Sequence, residues 1–219
     1  MKITCLKYAQ SVYGIQHIFR DAPKGELLPI SFCIFLIETG NQKILVDAGC
    51  DECGGFEFKP FRSIRCLLND LNLDYEDITD VIITHSHYDH IALVKCFENA
   101  TVYIQTDEYI NGKSFIPKDL KVTTFDNEYK FENGIVIKKI GGHSTGSSVV
   151  IVDNYVFCGD ECYSLDNLKK NILTGASVNL KNSSAFLNEY SKSKYTPLLS
   201  HDSNILPNKI GAQIICQKE

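Results

Sequence analysis

The chain has 219 residues, of which 44% are hydrophobic and 22% are charged, and these values exclude a disordered or fibrous protein. A chain of this length can bury one substantial core, so we expect one domain over residues 1–219. The net charge of −5 argues against nucleic acid as the main partner, because such binding draws most of its affinity from neutralised phosphates.

The N-terminus and the apolar runs indicate where the protein resides. Residues 1–8 contain neither a long apolar stretch nor a small-residue cleavage site, so we do not expect a signal peptide. The longest apolar runs, such as Phe32–Ile37, are too short to span a bilayer. The nine cysteines follow no disulfide framework, so we expect reduced thiols in a cytoplasmic protein with no membrane partner.

The first half of the chain predicts a hairpin and then a helix. Glycine in the turn 39–42 favours a hairpin between the strands Phe32–Glu38 and Lys43–Asp47. Apolar residues recur from position 64 to position 71 at the spacing of one helix face, which predicts a helix from about Arg62 to Leu71.

A buried strand is predicted over Asp80–Thr84, whose unbroken Val-Ile-Ile run suits a sheet covered on both faces. A short helix over Ile91–Phe97 and a strand over Thr101–Gln105 follow. The second half predicts a hairpin across Asp153-Asn154, a pair that tolerates positive φ. The elements predicted there are the strands Ile135–Ile140, Ser147–Val152, Tyr155–Cys158 and Thr196–Ser200 and the helix Asn182–Lys192.

Strands paired in hairpins, with helices between them, favour an α/β or α+β protein built from two packed sheets with helices outside. This order of elements is mixed and does not follow a strict β-α-β alternation.

The segment Thr-His-Ser-His-Tyr-Asp-His follows the predicted strand Asp80–Thr84 directly. It brings four metal-capable side chains into six positions: His85, His87, Asp89 and His90. Imidazole nitrogens and carboxylate oxygens are the ligands that bind zinc and similar divalent ions. Four titratable groups behind a buried strand would be costly unless they were paired, so the segment predicts a metal site.

Three further strand ends carry metal-capable side chains. His143, Asp160 and His201 each follow a predicted strand within a few residues, and catalytic groups are commonly held on loops at one edge of a rigid sheet. Taken alone, His143 or His201 fits an ordinary hydrogen-bonded histidine as well as a ligand. His17 lies outside any cluster, and we interpret it as a structural residue.

Together these segments resemble the metallo-β-lactamase superfamily over residues 34–201. The motifs that carry the resemblance are Asp47-Ala48-Gly49, His-x-His-x-Asp-His at 85–90, Gly-His-Ser-x-Gly at 142–146, Gly159-Asp160 and Ser200-His201. The resemblance implies an α/β fold, a four-layer αββα sandwich, with a dinuclear metal site at the sheet edge. In that site His85, His87 and His143 would hold one ion, Asp89, His90 and His201 the second, and Asp160 would bridge them.

The resemblance also implies a reaction. Two such ions can lower the pKa of a shared water towards ~7 and supply a bridging hydroxide as nucleophile, and Asp89 would carry the proton to the leaving atom. Asp47 would orient ligands through hydrogen bonds. Zinc is the expected metal of both sites, and manganese, iron or cobalt would also suit these ligands.

Three differences from known subgroups of the superfamily exclude some classes of substrate. No cysteine stands in the second ligand set, which argues against antibiotic hydrolysis. The segment after His201 is short, which argues against the helical substrate domain of glyoxalase II-type thioesterases. Flavodiiron reductases carry glutamate where this chain has His87, which argues against a reductase of that type.

Asp160-x-x-Tyr163 resembles the acyl-homoserine lactone lactonases, whose tyrosine contacts the substrate carbonyl and could stabilise an oxyanion. An ordinary loop aromatic fits this position of Tyr163 equally well. We therefore expect a small-molecule substrate, a lactone or similar cyclic ester. The alternatives are a glyoxalase II-type thioesterase and a non-catalytic metal-binding or sensing module. Cys50, Cys53 and Cys162 are expected to be free thiols near the pocket mouth.

Overall fold

The computed structural model describes residues 1–204 and 209–218. Its strands are β1 (Lys2–Gly14), β2 (Leu27–Thr39), β3 (Gln42–Val46), β4 (Asp80–Ile83), β5 (Thr101–Gln105), β6 (Lys121–Phe125), β7 (Glu128–Lys130), β8 (Val136–Lys139), β9 (Ser148–Val152), β10 (Tyr155–Phe157), β11 (Thr196–Leu198) and β12 (Gly211–Gln217). Its α-helices are α1 (Ile15–Ile18), α2 (Ile64–Asn69), α3 (Tyr88–Ile91), α4 (Thr106–Gly112), α5 (Leu165–Lys170) and α6 (Leu180–Tyr190).

The described residues form two sheets. The larger has seven strands in the order β12-β1-β2-β3-β4-β5-β6, and the smaller has five in the order β11-β10-β9-β8-β7. The pairs β3–β4, β4–β5 and β5–β6 are parallel, whereas the pairs β12–β1, β1–β2 and β2–β3 are antiparallel. In the smaller sheet, β10 and β11 are parallel and the other pairs are antiparallel.

Three hydrophobic cores separate four layers. The first lies between the larger sheet and the helices α2 and α3, and the second lies between the two sheets. The third packs the smaller sheet against α5 and α6. This is the αββα order that the sequence resemblance implied, and β4 shows why its apolar run is unbroken. Val81 and Ile83 face the helices while Ile82 faces the second sheet, so both faces of the strand are buried.

Parallel pairing brings the polar motifs to one edge. Because β3 and β4 are parallel with Val46 opposite Ile82, the turn at Asp47 and the segment at His85 leave the sheet side by side. Strands β10 and β11 are also parallel, with Phe157 opposite Leu198, and Asp160 and His201 each follow three positions later. The candidate ligands therefore share one edge of the two sheets.

The structure differs from the predicted elements at several places. The helix predicted over Ile91–Phe97 is instead the helix α3, which begins inside the histidine segment, and a 3₁₀ turn at Val94–Cys96. Strand β1 was not predicted, because the polar Thr4 and Lys7 are buried in it and hide its alternation. None of the helices in the described part of the chain has the length and apolar character needed to cross a bilayer.

Replacing Ile82 with alanine tests the core between the sheets. The side chain is fully buried, so Ile82→Ala should lower the free energy of unfolding by about 2–5 kcal/mol. Urea denaturation at fixed metal concentration measures the loss. Ile110→Ala is the control, because Ile110 is 66% exposed and its loss should change stability by no more than about 0.5 kcal/mol. Equal losses in both variants would contradict the placement of Ile82.

Candidate metal centre

The histidine segment is anchored where β4 ends. The carboxylate of Asp47 accepts hydrogen bonds from the Thr84 backbone N–H at 2.8 Å and from the Thr84 hydroxyl at 3.0 Å. The chain then turns into α3, which starts after His87 and places Asp89 and His90 in its single turn. Asp47 has φ of +66° and Gly49 has φ of +70°, so the Asp-x-Gly turn depends on residues that tolerate a left-handed backbone.

Seven predicted ligands gather into two groups, and all seven are the candidates that the sequence singled out. Within each group, one ligand atom of every residue lies within 4.8 Å of the others. The first group is His85, His87, His143 and Asp160, and the second is Asp89, His90 and His201.

Asp160 lies between the two groups. Its Oδ1 is 3.1 Å from the Nε2 atoms of both His90 and His201. Its Oδ2 is 3.5 Å from Nε2 of His143 and 3.7 Å from Nε2 of His85. One carboxylate oxygen therefore faces each group, which is the arrangement that a bridging ligand requires.

Hydrogen bonds fix the orientation of three imidazoles. Nδ1 of His90 donates to Asp47 Oδ2 at 2.8 Å, and Nδ1 of His201 donates to the Ser31 carbonyl at 2.8 Å. The Thr84 hydroxyl donates to Asp47, so at 3.1 Å it accepts from Nδ1 of His85. Because the acceptors fix the proton on Nδ1 in all three rings, each Nε2 presents a lone pair to the centre.

The chemistry of this cluster fits divalent cations. His85, His90, His143, Asp160 and His201 are at most 4% exposed. Nε2 of His85, His90 and His201 and Oδ1 of Asp160 make no hydrogen bond, although buried polar atoms are normally paired. A cation bound by these lone pairs would satisfy them, and nitrogen with carboxylate oxygen is a donor set that suits zinc.

The pKa values of the buried histidines differ between the two groups. Burial lowers the pKa of His85 well below its ordinary value, helped by the nearby His90, and burial lowers that of His143 to about 4. Burial also acts on His201, but the negative charge of Asp160 outweighs it and raises the pKa to about 9. The pKa of His90 is raised for the same reason. The carboxylates thus attract positive charge to Nε2 of His90 and His201, which a bound cation would supply in place of a proton, while burial keeps His85 and His143 neutral.

Both predicted catalytic residues border the cluster. The Asp89 side chain is 15% exposed, and its Oδ2 lies 3.5 Å from Nε2 of His201. The Tyr163 hydroxyl donates to Asp160 Oδ2 at 2.9 Å, and its ring stacks on His201 with centroids 5.2 Å apart. Burial and the charge of Asp160 raise the pKa of Tyr163 well above its ordinary value, so the phenol keeps its proton.

The remaining histidine and the cysteines that the sequence singled out lie outside the two ligand groups. His17 is exposed and stacks on Tyr13 at 4.7 Å, outside both groups. Cys53 lines the cavity beside the cluster, as expected. Cys50 and Cys162 are free thiols, as expected, but their side chains are buried in the hydrophobic cores and not at the cavity mouth.

Two buried glutamates were missed in the sequence. Oε1 of Glu161 accepts from the backbone N–H of Gly142 and His143 at 3.1 and 3.2 Å and from the Ser147 hydroxyl at 2.5 Å. Glu108 makes a similar set of bonds from α4 and is 1% exposed. A glutamate in a short helix or beside a predicted ligand carries no pattern that distinguishes it from a solvated residue.

The hydrogen bond from Asp47 to His90 makes a prediction about metal affinity. In Asp47→Asn the amide tolerates the positive φ, but an N–H group facing Nδ1 of His90 would shift the ring proton to Nε2. Metal affinity should fall by about 10–100-fold, as for other partners of ligating histidines. Zinc titration against a competing chelator measures it. Asp153→Asn is the control, because Asp153 is exposed and has φ of +54°; an equal fall in both variants would refute the role of Asp47.

Known proteins resemble this chain in sequence. A Methanocaldococcus jannaschii protein named as a probable metallo-hydrolase is 33% identical over 144 residues, which cover 65% of this chain and 66% of that protein. An N-acyl homoserine lactonase of Bacillus cereus is 24% identical over 152 residues, which cover 59% of this chain and 61% of the enzyme. The chain thus spans less than two thirds of the length of either relative.

A solved structure of an N-acyl homoserine lactone hydrolase, with the product N-hexanoyl-L-homoserine at its catalytic metal centre, has a TM-score of 0.80. It is 19% identical and covers 92% of this chain and 93% of its own, so it confirms the predicted fold. The model of the metallo-beta-lactamase superfamily matches residues 33–172. That match covers more than half of the chain, and the protein therefore belongs to the metallo-β-lactamase superfamily.

Proposed function

We propose that the protein is a metal-dependent hydrolase that binds two divalent ions and opens a lactone or a similar small cyclic ester. The observation that carries the proposal is the position of Asp160, whose two carboxylate oxygens face two separate groups of ligands. His85, His87 and His143 would hold one ion, Asp89, His90 and His201 would hold the other, and Asp160 would bind both. Zinc is the proposed metal, because the donors are imidazoles and carboxylates.

When bound, divalent ions supply Lewis acidity that lowers the pKa of coordinated water and polarises a carbonyl group. The chain supplies the rest. Asp47, Thr84 and the Ser31 carbonyl hold the imidazoles of His85, His90 and His201 in place, so the ligands need not reorganise during the reaction.

Asp89 is the proposed proton carrier. It lines the cavity at the cluster and is less buried than the histidines beside it. Water adds to the ester carbonyl carbon, and the proton it loses passes to the Asp89 carboxylate. When the ring C–O bond breaks, the same group returns the proton to the alkoxide oxygen and yields a hydroxy acid.

Tyr163 is the proposed donor to the substrate carbonyl. Its phenol keeps its proton and lies next to Asp160. Negative charge develops on the carbonyl oxygen as water adds, and an O–H group aimed at that oxygen stabilises it. The hydroxyl would exchange its bond to Asp160 for one to the substrate.

The cavities around the site favour an uncharged substrate. Three cavities of about 230, 230 and 370 Å³ share Tyr163 in their lining. The one that reaches Asp89 and Asp160 is lined by Tyr13, Phe32 and Phe56. Among the described residues, no lysine or arginine lines any of the three. This favours a neutral acyl lactone over a glutathione thioester, whose carboxylates would call for cationic partners.

A substrate panel tests the proposal. Protein loaded with zinc, manganese, cobalt or iron should open N-acyl homoserine lactones or simple lactones with a higher kcat/KM than it shows for S-lactoylglutathione, phosphodiesters or β-lactams. A pH indicator follows the acid released. Chelation should abolish turnover, and metal should restore it. A preference for S-lactoylglutathione would favour the thioesterase, and loaded protein inert to the whole panel would favour a binding module.

Substitution of Tyr163 separates catalysis from metal binding. Tyr163→Phe removes the hydroxyl but no proposed ligand, so lactone kcat should fall by about 10²-fold while elemental analysis finds unchanged metal. Asp160→Asn should lower metal content and turnover together. Tyr195→Phe is the control, because the Tyr195 hydroxyl bonds to Glu189 and borders none of the three cavities. A wild-type rate in Tyr163→Phe would exclude its proposed role.

A further inference from the structure

The carboxylate of Glu108 joins two segments that carry candidate ligands. Its Oε2 accepts from the backbone N–H and the hydroxyl of Ser86 at 2.8 and 2.6 Å. Its Oε1 accepts from the Ser144 hydroxyl at 2.7 Å and from the Gly146 backbone N–H at 2.8 Å. Ser86 separates His85 from His87, and Ser144 follows His143 directly. One buried group therefore connects all three histidines of the first group through the residues beside them.

Helix α4 is packed closely enough to hold both segments. A Cβ atom at Gly146 would lie 2.0 Å from Gln105 Oε1 and 2.8 Å from Glu108 Cγ. A Cβ atom at Gly112 would lie 2.9 Å from Ser86 Cβ. Real Cβ atoms do not approach so closely, so both contacts require glycine. The Gln105 side chain also caps the helix by accepting from the Glu108 backbone N–H at 3.3 Å, which fixes the turn that carries the carboxylate.

Glu108 acts as a carboxylate in this position. Burial alone would raise its pKa, but the hydrogen bonds from Ser144, Ser86 and Gly146 outweigh burial and lower it. Hydrogen bonds to a charged group are stronger than those between neutral groups. The four donors therefore bind segment 85–87 tightly to the turn 142–147 through Glu108.

The second group has other supports. The His90 ring is held by Asp47, and the His90 carbonyl accepts from the Ala48 N–H at 2.7 Å. His201 is held by the Ser31 carbonyl. Glu108 bonds to no residue of this group and to neither of these supports.

We propose that Glu108 is a positioning residue that holds the three histidines of the first group, His85, His87 and His143, in place and leaves the second group unaffected. The inference rests on the proposed two-ion site. It assigns Glu108 no contact with substrate or metal: its function is to keep the segment 85–87 at a fixed distance from the turn 142–147.

Glu108→Gln is the variant that tests this. Whichever way the amide turns, its N–H₂ group faces either Ser86 or the Ser144 and Gly146 pair. A serine hydroxyl can rotate to accept, but a backbone N–H cannot. One buried backbone donor therefore loses its acceptor, and the connection between the two segments is weakened. The turn 142–147 should remain folded, because Glu161 holds it independently.

Stepwise zinc titration against a chromophoric chelator, with elemental analysis, reads the two sites separately. Wild-type protein should bind two ions. Glu108→Gln should bind one with wild-type affinity and the other about 10–100-fold more weakly. Excess zinc should restore kcat while KM stays unchanged, which loss of folding would not produce. Asp107→Asn is the matched control, because Asp107 is the neighbouring acid and bonds to Lys139; both of its affinities should equal those of the wild type.

Each outcome has a separate meaning. A wild-type protein that binds no ions overturns the proposed function and this inference with it. Two ions in the wild type and unchanged affinities in Glu108→Gln overturn only the role of Glu108. Equal weakening of the binding of both ions, with unchanged circular dichroism and Tm, overturns the selectivity.

If Glu108→Gln does not fold, Ser86→Ala and Ser144→Ala each remove one donor. Both should weaken the same single ion, and an unchanged affinity in both would overturn the role.

Discussion

The structure depends on the burial of the Asp160 carboxylate among four imidazoles at the edge of two sheets. Asp160 is 4% exposed, and the positive charge favoured by its histidine neighbours lowers its pKa well below the ordinary value although burial acts against this. Such a group is costly to bury unless opposite charge compensates it. The parallel pairs β3–β4 and β10–β11 bring that compensation together, because each delivers two polar segments to the same edge.

Around this centre three further carboxylates hold backbone rather than metal. Asp47 fixes the end of β4, Glu161 fixes the turn that carries His143, and Glu108 connects that turn to the segment 85–87. These bonds explain why the two histidine motifs contain particular residues that are not candidate ligands. Ser86, Ser144 and Gly146 supply the donors that Glu108 accepts, and Gly146 is small enough to let the backbone reach it.

The sequence could predict the family fold, the candidate ligands that the structure brings together and the hydrogen-bonding position of Asp47, but not the two buried glutamates that hold the ligand segments. His85, His143, Asp160 and His201 were recognisable because histidines and acids follow apolar strands, a local pattern. Glu108 and Glu161 act through contacts with distant loops, and no local pattern encodes those contacts. The helix expected over 91–97 begins earlier, at Tyr88, because the anchoring of Thr84 by Asp47 fixes where the chain turns, and tertiary contacts override propensity there.

Tyr163 links the metal centre to the surrounding cavities. Its hydroxyl bonds to Asp160, its ring stacks on His201, and it borders all three cavities. A ligand in any of them can therefore reach a residue already in contact with both groups. If a carbonyl takes the phenolic hydrogen bond, Asp160 loses one donor and gains electron density for a cation. Under the proposed function, substrate binding and metal binding would then be thermodynamically linked, and each would change the affinity for the other by the same factor.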